Sequence, residues 1–268
     1  MRQYVLPKTF HGEETVTLSE KEAKYLTKVL RFRVGQQFSG IDASGTIWDV
    51  TIMEGNKLRC APAENGKPRT TSDTLPAFLG PYPHLHLYQC LCKGKKDEDI
   101  VRAATEIGVE TITFVQSRFC TVDLSEKTGK ALTSRNERLE AIIKEALQQS
   151  GSPVPTTLTE RILTITDISQ TAKGTKLFFH QSPIGDTSLP ALLATIPPKE
   201  QEVSLLVGSE GGFSDEECRF LIKDGFRPVL LKTNILRAET AAIYALSACQ
   251  VLLTEHIRPK EDCDDYSH

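Results

Sequence analysis

From His84 onwards the chain alternates short apolar runs with segments of helical periodicity, and this alternation restricts the fold more than any other feature. Apolar runs fall at residues 85–92, 111–116, 176–180, 203–207 and 228–231. Helical patterns lie between or after them, at 97–107, 134–149, 189–194, from Ser214 to a stop at Gly225, and at 239–255. Acids in the first turn and Gly108 as a stop mark the first of these. Ser214-Asp215-Glu216-Glu217 forms a capping box. Strands alternating with helices in this way predict an α/β fold with a mostly parallel sheet.

Residues 1 to 80 follow another grammar. Short apolar runs at 15–18, 37–41, 46–53 and 57–61 are separated by Gly35, Gly40, Gly45 and Gly55, which suggests a small β-barrel. One helix interrupts it, with Ser19 as cap and Glu22 completing a capping box. Ala23, Leu26, Val29 and Leu30 then recur at helical spacing and are expected to face the barrel core. Lys21, Lys24, Lys28 and Arg31 fall on the opposite face, as an ordinary solvated surface or as a phosphate-contacting one. Residues 62–83 are rich in Pro, Gly, Thr and Ser and read as a linker. The acidic end at 259–268 reads as a tail.

Several function classes recede. No apolar run approaches the roughly 20 residues of a membrane span. The stretch Met1-Arg2-Gln3-Tyr4-Val5 has neither an apolar signal region nor a small-residue cleavage site. The seven cysteines form no CxxC pair, so reduced thiols in a cytoplasm are expected. His84, His86, Cys90 and Cys92 share one parity on a strand, but same-face neighbours stand about 6.6 Å apart and cannot wrap one tetrahedral zinc. No metal site is expected. A net charge of −3 does not advertise nucleic-acid binding, so an RNA partner would need a local basic patch.

The chemistry concentrates in two loops. Gly208-Ser209-Glu210-Gly211-Gly212 follows an apolar run and precedes the capped helix. It matches neither GxxxxGK[ST] nor GxGxxG. It carries a carboxylate and no lysine, unlike a phosphate cradle, so a neutral or cationic ligand read by backbone groups is the functional reading. A tight turn without a ligand is the plain one. The second loop leads into Ile235-Leu236-Arg237-Ala238-Glu239-Thr240, where Arg237 and Glu239 flank a helix start and Thr240 could help to cap it. Loops at the carboxyl ends of strands in an open α/β sheet are where ligands bind.

These two loops, Gly-Ser-Glu-Gly-Gly-Phe-Ser and Ile-Leu-Arg-Ala-Glu-Thr-Ala, resemble the signature loops of the SPOUT methyltransferases, specifically the ribosomal RNA small subunit methyltransferase E family. The resemblance spans nearly the whole chain. Tyr25-Leu26 with Val29-Leu30-Arg31 and Gly35 looks like the family's N-terminal motif. Lys93-Gly94-Lys95-Lys96, Thr105-Glu106-Ile107-Gly108-Val109 and the stretch from Glu145 to Gly151 resemble later ones.

The resemblance implies a PUA-like RNA-binding β-barrel at 1–80 and a trefoil-knotted SPOUT methyltransferase domain at 81–258. It also implies a cytoplasmic homodimer and the cofactor S-adenosyl-L-methionine. The reaction implied is methylation of N3 of a uridine in 16S ribosomal RNA of the small ribosomal subunit. Carried over by motif, Val207, Gly208, Glu210, Gly211, Gly212, Ile235, Leu236 and Arg237 bind the cofactor, with His180 and Gln181 on a third side. Arg237 and Glu239 are the catalytic candidates; Lys24, Lys28, Arg31, Lys93, Lys95 and Lys96 are the RNA contacts. The chain departs from the family pattern at Ser209 (usually Pro), at Lys232-Thr233-Asn234 (Gly-x-Arg), at Ala103 (Lys) and at Ser152 (Arg). The alternatives are a SPOUT protein with another RNA target, or an RNA binder without turnover.

Overall fold

Short strands joined by glycine turns build the first of two units into which the chain divides. The computed structural model describes residues 3–63, 82–124, 130–181, 184, 188–197 and 202–256. One unit comprises Met1–Gly80 and Lys144–Pro155, the other Pro81–Ile143 and Thr156–His268. Most of the expected linker, 64–81, and the expected tail lie outside the described residues.

In the first unit, β1 (Tyr4–Val5), β2 (Thr15–Thr17), β3 (Gln37–Ile41), β4 (Ile47–Met53) and β5 (Lys57–Pro62) form one sheet in the order β1-β3-β4-β5-β2. Only the β1–β3 pair is parallel. Its inner face buries Tyr4, Leu6, Phe38, Val50, Ile52 and Leu58 together with Ala23 and Leu26. Each such aliphatic or aromatic side chain contributes about 1.5–3 kcal/mol when fully covered.

The helix α1 (Glu20–Lys24) begins at the expected capping box: the Glu22 amide donates to Ser19 Oγ (3.3 Å), and the Ser19 amide to Glu22 Oε2 (3.2 Å). It then widens into a π-helical turn, Tyr25–Val29, closed by the Leu30 amide on the Tyr25 carbonyl at 3.0 Å. That turn corrects the expected face. A residue is added to the turn, so Val29 rotates outward to 66 % exposure, while Tyr25 and Leu30 pack on the core. Lys21, Lys24, Lys28 and Arg31 are all exposed, and Arg31 ends the run at φ 58°.

The second unit contains β6 (His84–Cys90), α2 (Lys96–Ile107), β7 (Thr111–Gln116), β8 (Thr157–Leu158), β9 (Leu163–Thr164), α4 (Ile168–Thr171), β10 (Thr175–Phe179), α5 (Leu189–Leu193), β11 (Glu202–Val207), α6 (Asp215–Lys223), β12 (Arg227–Val229) and α7 (Ala238–His256). The helix α3 (Lys130–Ser150) belongs to this unit up to Ile143. Every strand pair in its seven-stranded sheet is parallel, in the order β12-β10-β11-β6-β7-β8, with β9 also on β7. The central strands β6 and β11 are buried along nearly their whole length because both faces of a parallel sheet are covered. On β6, buried His86 contacts Thr111 Oγ1 (2.8 Å) and Glu202 Oε1 (3.1 Å). His84 contacts Glu110 (2.7 Å).

Register positions the site. Phe179 on β10 pairs with both Val207 of β11 and Val229 of β12, and Val207 pairs with Gln89 of β6. The segments after these four strands therefore leave the sheet at one level. The expected strand at 228–231 is shorter than anticipated, ending at Val229, which frees Leu230 and Leu231 for the loop that follows.

Two substitutions probe this frame. Ser214 caps α6, accepting from the Glu217 amide while Glu217 Oε2 accepts from the Ser214 amide; Ser214→Ala should cost about 1 kcal/mol in denaturant unfolding. Gly174 has φ +59°, and a Cβ there would lie 1.9 Å from the Glu202 carbonyl oxygen. Gly174→Ala should therefore destabilise by about 3 kcal/mol or more, or prevent accumulation of soluble protein.

Candidate functional site

A cleft of about 380 Å³ opens at the shared strand ends of the second unit. One wall is Phe179, His180 and Gln181 after β10. The second is Val207, Gly208, Ser209, Glu210 and Gly212 after β11. The third runs from Leu230 and Leu231 through Thr233 to Arg237 and into α7 at Ala238 and Ala241. Lys96, the first residue of α2, completes the rim. β6 and β11 are neighbours whose chains lead away in opposite directions, to β7 on one side and to β12 on the other. Such a switch point is where an open α/β sheet leaves a crevice.

Sequence explains the shape of the second wall. Ser209 and Gly212 form an isolated antiparallel bridge, with the Gly212 amide on the Ser209 carbonyl at 3.0 Å, so Glu210 and Gly211 make the tip of a tight turn. Gly212 adopts φ +67°, which favours glycine. Gly211 is required for space: a Cβ there would lie 2.6 Å from Cβ of Phe119. Gly211 thus faces the loop after β7 and is the one expected cofactor-loop residue that does not line the cleft. The loop behind it is tied down by Glu217, whose Oε1 accepts the Arg118 amide at 2.8 Å, and by the Arg118–Glu216 ion pair. Phe213 turns into the core, edge-on to Phe178 at 5.9 Å.

The charges gather at the rim. Lys96 Nζ lies 2.7 Å from Glu210 Oε1 and 3.4 Å from Glu239 Oε2. The Glu210 carboxylate also accepts the Lys93 amide at 3.2 Å. Partial burial works against ionisation of Glu210, but the hydrogen bonds from Lys96, its own amide and Lys93 outweigh it and hold its carboxyl below the ordinary range. The hydrogen bond to Glu210 pushes the Lys96 ammonium the other way, above its ordinary value.

The start of α2 is anchored from behind. Buried Asp97 accepts the Cys92 amide (3.1 Å) and Arg135 (2.8 Å), and the Arg135 guanidinium lies 4.0 Å over the Phe114 ring. Burial raises the Asp97 carboxyl, and the Arg135 pairing opposes that rise.

Of the catalytic candidates, Arg237 is exposed at the cleft and sits directly before α7, its carbonyl accepting the Ala241 amide at 2.8 Å. Glu239 lies in the first turn of α7, where a carboxylate suits the helix dipole, and its cation is Lys96. Thr240 is already inside the helix and is not its cap. Ile235 projects from the loop at 86 % exposure, while Leu236 is half-buried. Lys93 and Lys95 are exposed, whereas Lys96, expected with them as an RNA contact, reaches into the cleft. Sequence reading did not foresee the lining by Phe179, Leu230, Leu231, Ala238 and Ala241, nor the Lys96 bridge. In the sequence, Thr233 and Asn234 stand out only as departures from the family pattern.

Comparison with known proteins agrees with this architecture. The model of the RNA methyltransferase domain family matches residues 80–250. A Synechocystis protein named Ribosomal RNA small subunit methyltransferase E is 30 % identical over 259 residues, covering 90 % of this chain and 74 % of that protein. One of the same name from Aquifex aeolicus is 28 % identical over 247 residues, covering 89 % and 96 %. A Legionella pneumophila protein, described as a methyltransferase and solved with bound cofactor SAM, superposes with a TM-score of 0.74 at 25 % identity over 93 % of this chain and 97 % of its own. With a family model over most of its length and a 30 % identical relative along nine-tenths of it, the chain belongs to the RNA methyltransferases and, within them, to the ribosomal RNA small subunit methyltransferase E family.

Proposed function

We propose that this chain methylates N3 of a uridine in the 16S ribosomal RNA of the small ribosomal subunit, using S-adenosyl-L-methionine. The observation that carries the reading is the cleft at the ends of β10, β11 and β12, with a glycine turn on one wall and Arg237 on another. Its relatives' names supply the substrate class, and the Legionella protein holds SAM.

The residues present fit that cofactor. A cleft of about 380 Å³ is within the range for a small organic ligand. Its second wall is backbone with little side-chain bulk, which suits a flat adenine. The carboxylate of Glu210 at the rim disfavours a phosphate and tolerates a cation. His180, Gln181, Val207, Gly208, Glu210, Gly212, Ile235, Leu236 and Arg237 would hold the ligand, with Gly211 shaping the turn from behind. When bound, the cofactor supplies an electrophilic methyl group on a sulfonium sulfur.

The protein's own task is the uridine. N3 carries a proton that must leave before N3 is nucleophilic. Arg237, exposed at the cleft, offers a guanidinium to the negative charge that develops on the ring. Glu239 is the positioning or proton-accepting carboxylate. Lys24, Lys28, Arg31, Lys93 and Lys95 are exposed cations suited to the RNA backbone. The reading extends to a PUA-like barrel at 1–80, a trefoil-knotted domain at 81–258, a homodimer and a cytoplasmic location.

The decisive experiment gives the protein and SAM to small subunits isolated from a strain lacking the enzyme and then maps the modified base. Methyl on uridine N3 is expected; methyl on another atom or base overturns that assignment. Absence of SAM binding in calorimetry would favour an RNA-binding protein without turnover. Arg237→Ala should lower kcat by about 100-fold or more with thermal unfolding unchanged, because the side chain is exposed. Wild-type turnover in that variant would remove Arg237 from the mechanism.

A further inference from the structure

One ammonium group joins three separate pieces of the cleft. Lys96 opens α2, Glu210 tips the turn after β11, and Glu239 lies in the first turn of α7. Lys96 Nζ reaches both carboxylates, at 2.7 Å and 3.4 Å. The three side chains are 29 %, 28 % and 20 % exposed, so this is not a pair of long side chains waving in solvent. The backbone bearing Lys96 is fixed by buried Asp97 and its partner Arg135. Buried Asp97 and Cys92 also lie within electrostatic reach of Glu210, and Arg237 lines the same cleft.

Two consequences follow from charge. Lys96 with its two carboxylates sums to one negative charge, so an approaching RNA phosphate meets a group already neutralised and more. Without the ammonium, the carboxylates of Glu210, on the turn after β11, and Glu239, in the first turn of α7, would be left close together and repel.

We propose that Lys96 is a positioning residue for cofactor binding, holding the Glu210 turn and the loop before α7 at the separation an adenosyl ligand requires, and not a phosphate contact for RNA. This rests on the reading of the cleft as the SAM site. Glu210 and Glu239 are then the two anchor points of one tether, and the geometry of Arg237 depends on it because Arg237 lies two residues before Glu239 in the chain.

Calorimetry of the full chain tests this with Lys96→Met and Lys96→Arg, against SAM and its neutral congener S-adenosylhomocysteine. Lys96→Met should weaken both ligands by about tenfold or more, and Lys96→Arg should recover most of the loss. Removing a positive charge without disturbing the walls would instead tighten SAM and leave the neutral congener unaffected, and that pattern would overturn the proposal. The salt dependence of binding to ribosomal RNA should be the same in Lys96→Met as in wild type. A slope shallower by about 0.7–0.9 would mark Lys96 as a phosphate contact and overturn it as well. Thermal unfolding checks that Lys96→Met remains folded, and Lys96→Arg carries the test if it does not. Wild-type protein that binds neither ligand would overturn the SAM reading itself; wild-type binding with an unimpaired Lys96→Met would overturn only the tether.

Discussion

The hydrogen-bonded register of three parallel strands is the constraint on which the cleft depends. β10 is held between β12 and β11 so that Phe179 stands level with Val207 on one side and Val229 on the other. Each strand ends at that level, and each is followed by a different kind of loop. The amide of His180 still reaches back to the Val229 carbonyl at 3.0 Å, so the first wall is hydrogen-bonded to the strand that leads into the third. A slip of one residue in any of these pairs would turn every side chain to the opposite face, because strand side chains alternate. The buried runs on both faces of β11 and β10 make such a slip costly.

Elements whose signals are local were legible in the sequence. The capping boxes at Ser19 and Ser214 were visible because a serine and a glutamate three residues apart satisfy each other's neighbourhood without help from the rest of the chain. Among the strands of the second unit, β7, β10 and β11 were visible because burial leaves largely apolar runs. What escaped was either too short or too distant. β1, β8 and β9 have two residues each, below the length at which periodicity means anything. The outward turn of Val29 required the π-helical widening, for which helical spacing carries no cue.

The candidate site divides along the same line. The glycine turn and the Ile235–Arg237 stretch stood out as motifs, and both line the cleft. In the sequence Lys96 groups with its basic neighbours Lys93 and Lys95, because adjacency is what a sequence shows. Its actual partner Glu210 is 114 residues away, brought near by the pairing of β6 with β11. The loop after β7 escaped for the same reason: Phe119 meets Gly211 only through the fold.

The turn Ser209–Gly212 looks like a row of interchangeable small letters, yet its adjacent glycines answer to different masters. Gly211 is a matter of volume, since Phe119 occupies the place its side chain would fill. Gly212 is a matter of torsion alone, with φ +67° and nothing within 4 Å of a hypothetical Cβ. Asparagine tolerates the left-handed region, so position 212 has a second residue open to it and position 211 has none. A family drifting through sequence space can therefore loosen this motif from one side only, and the side it must keep is the one facing away from the ligand.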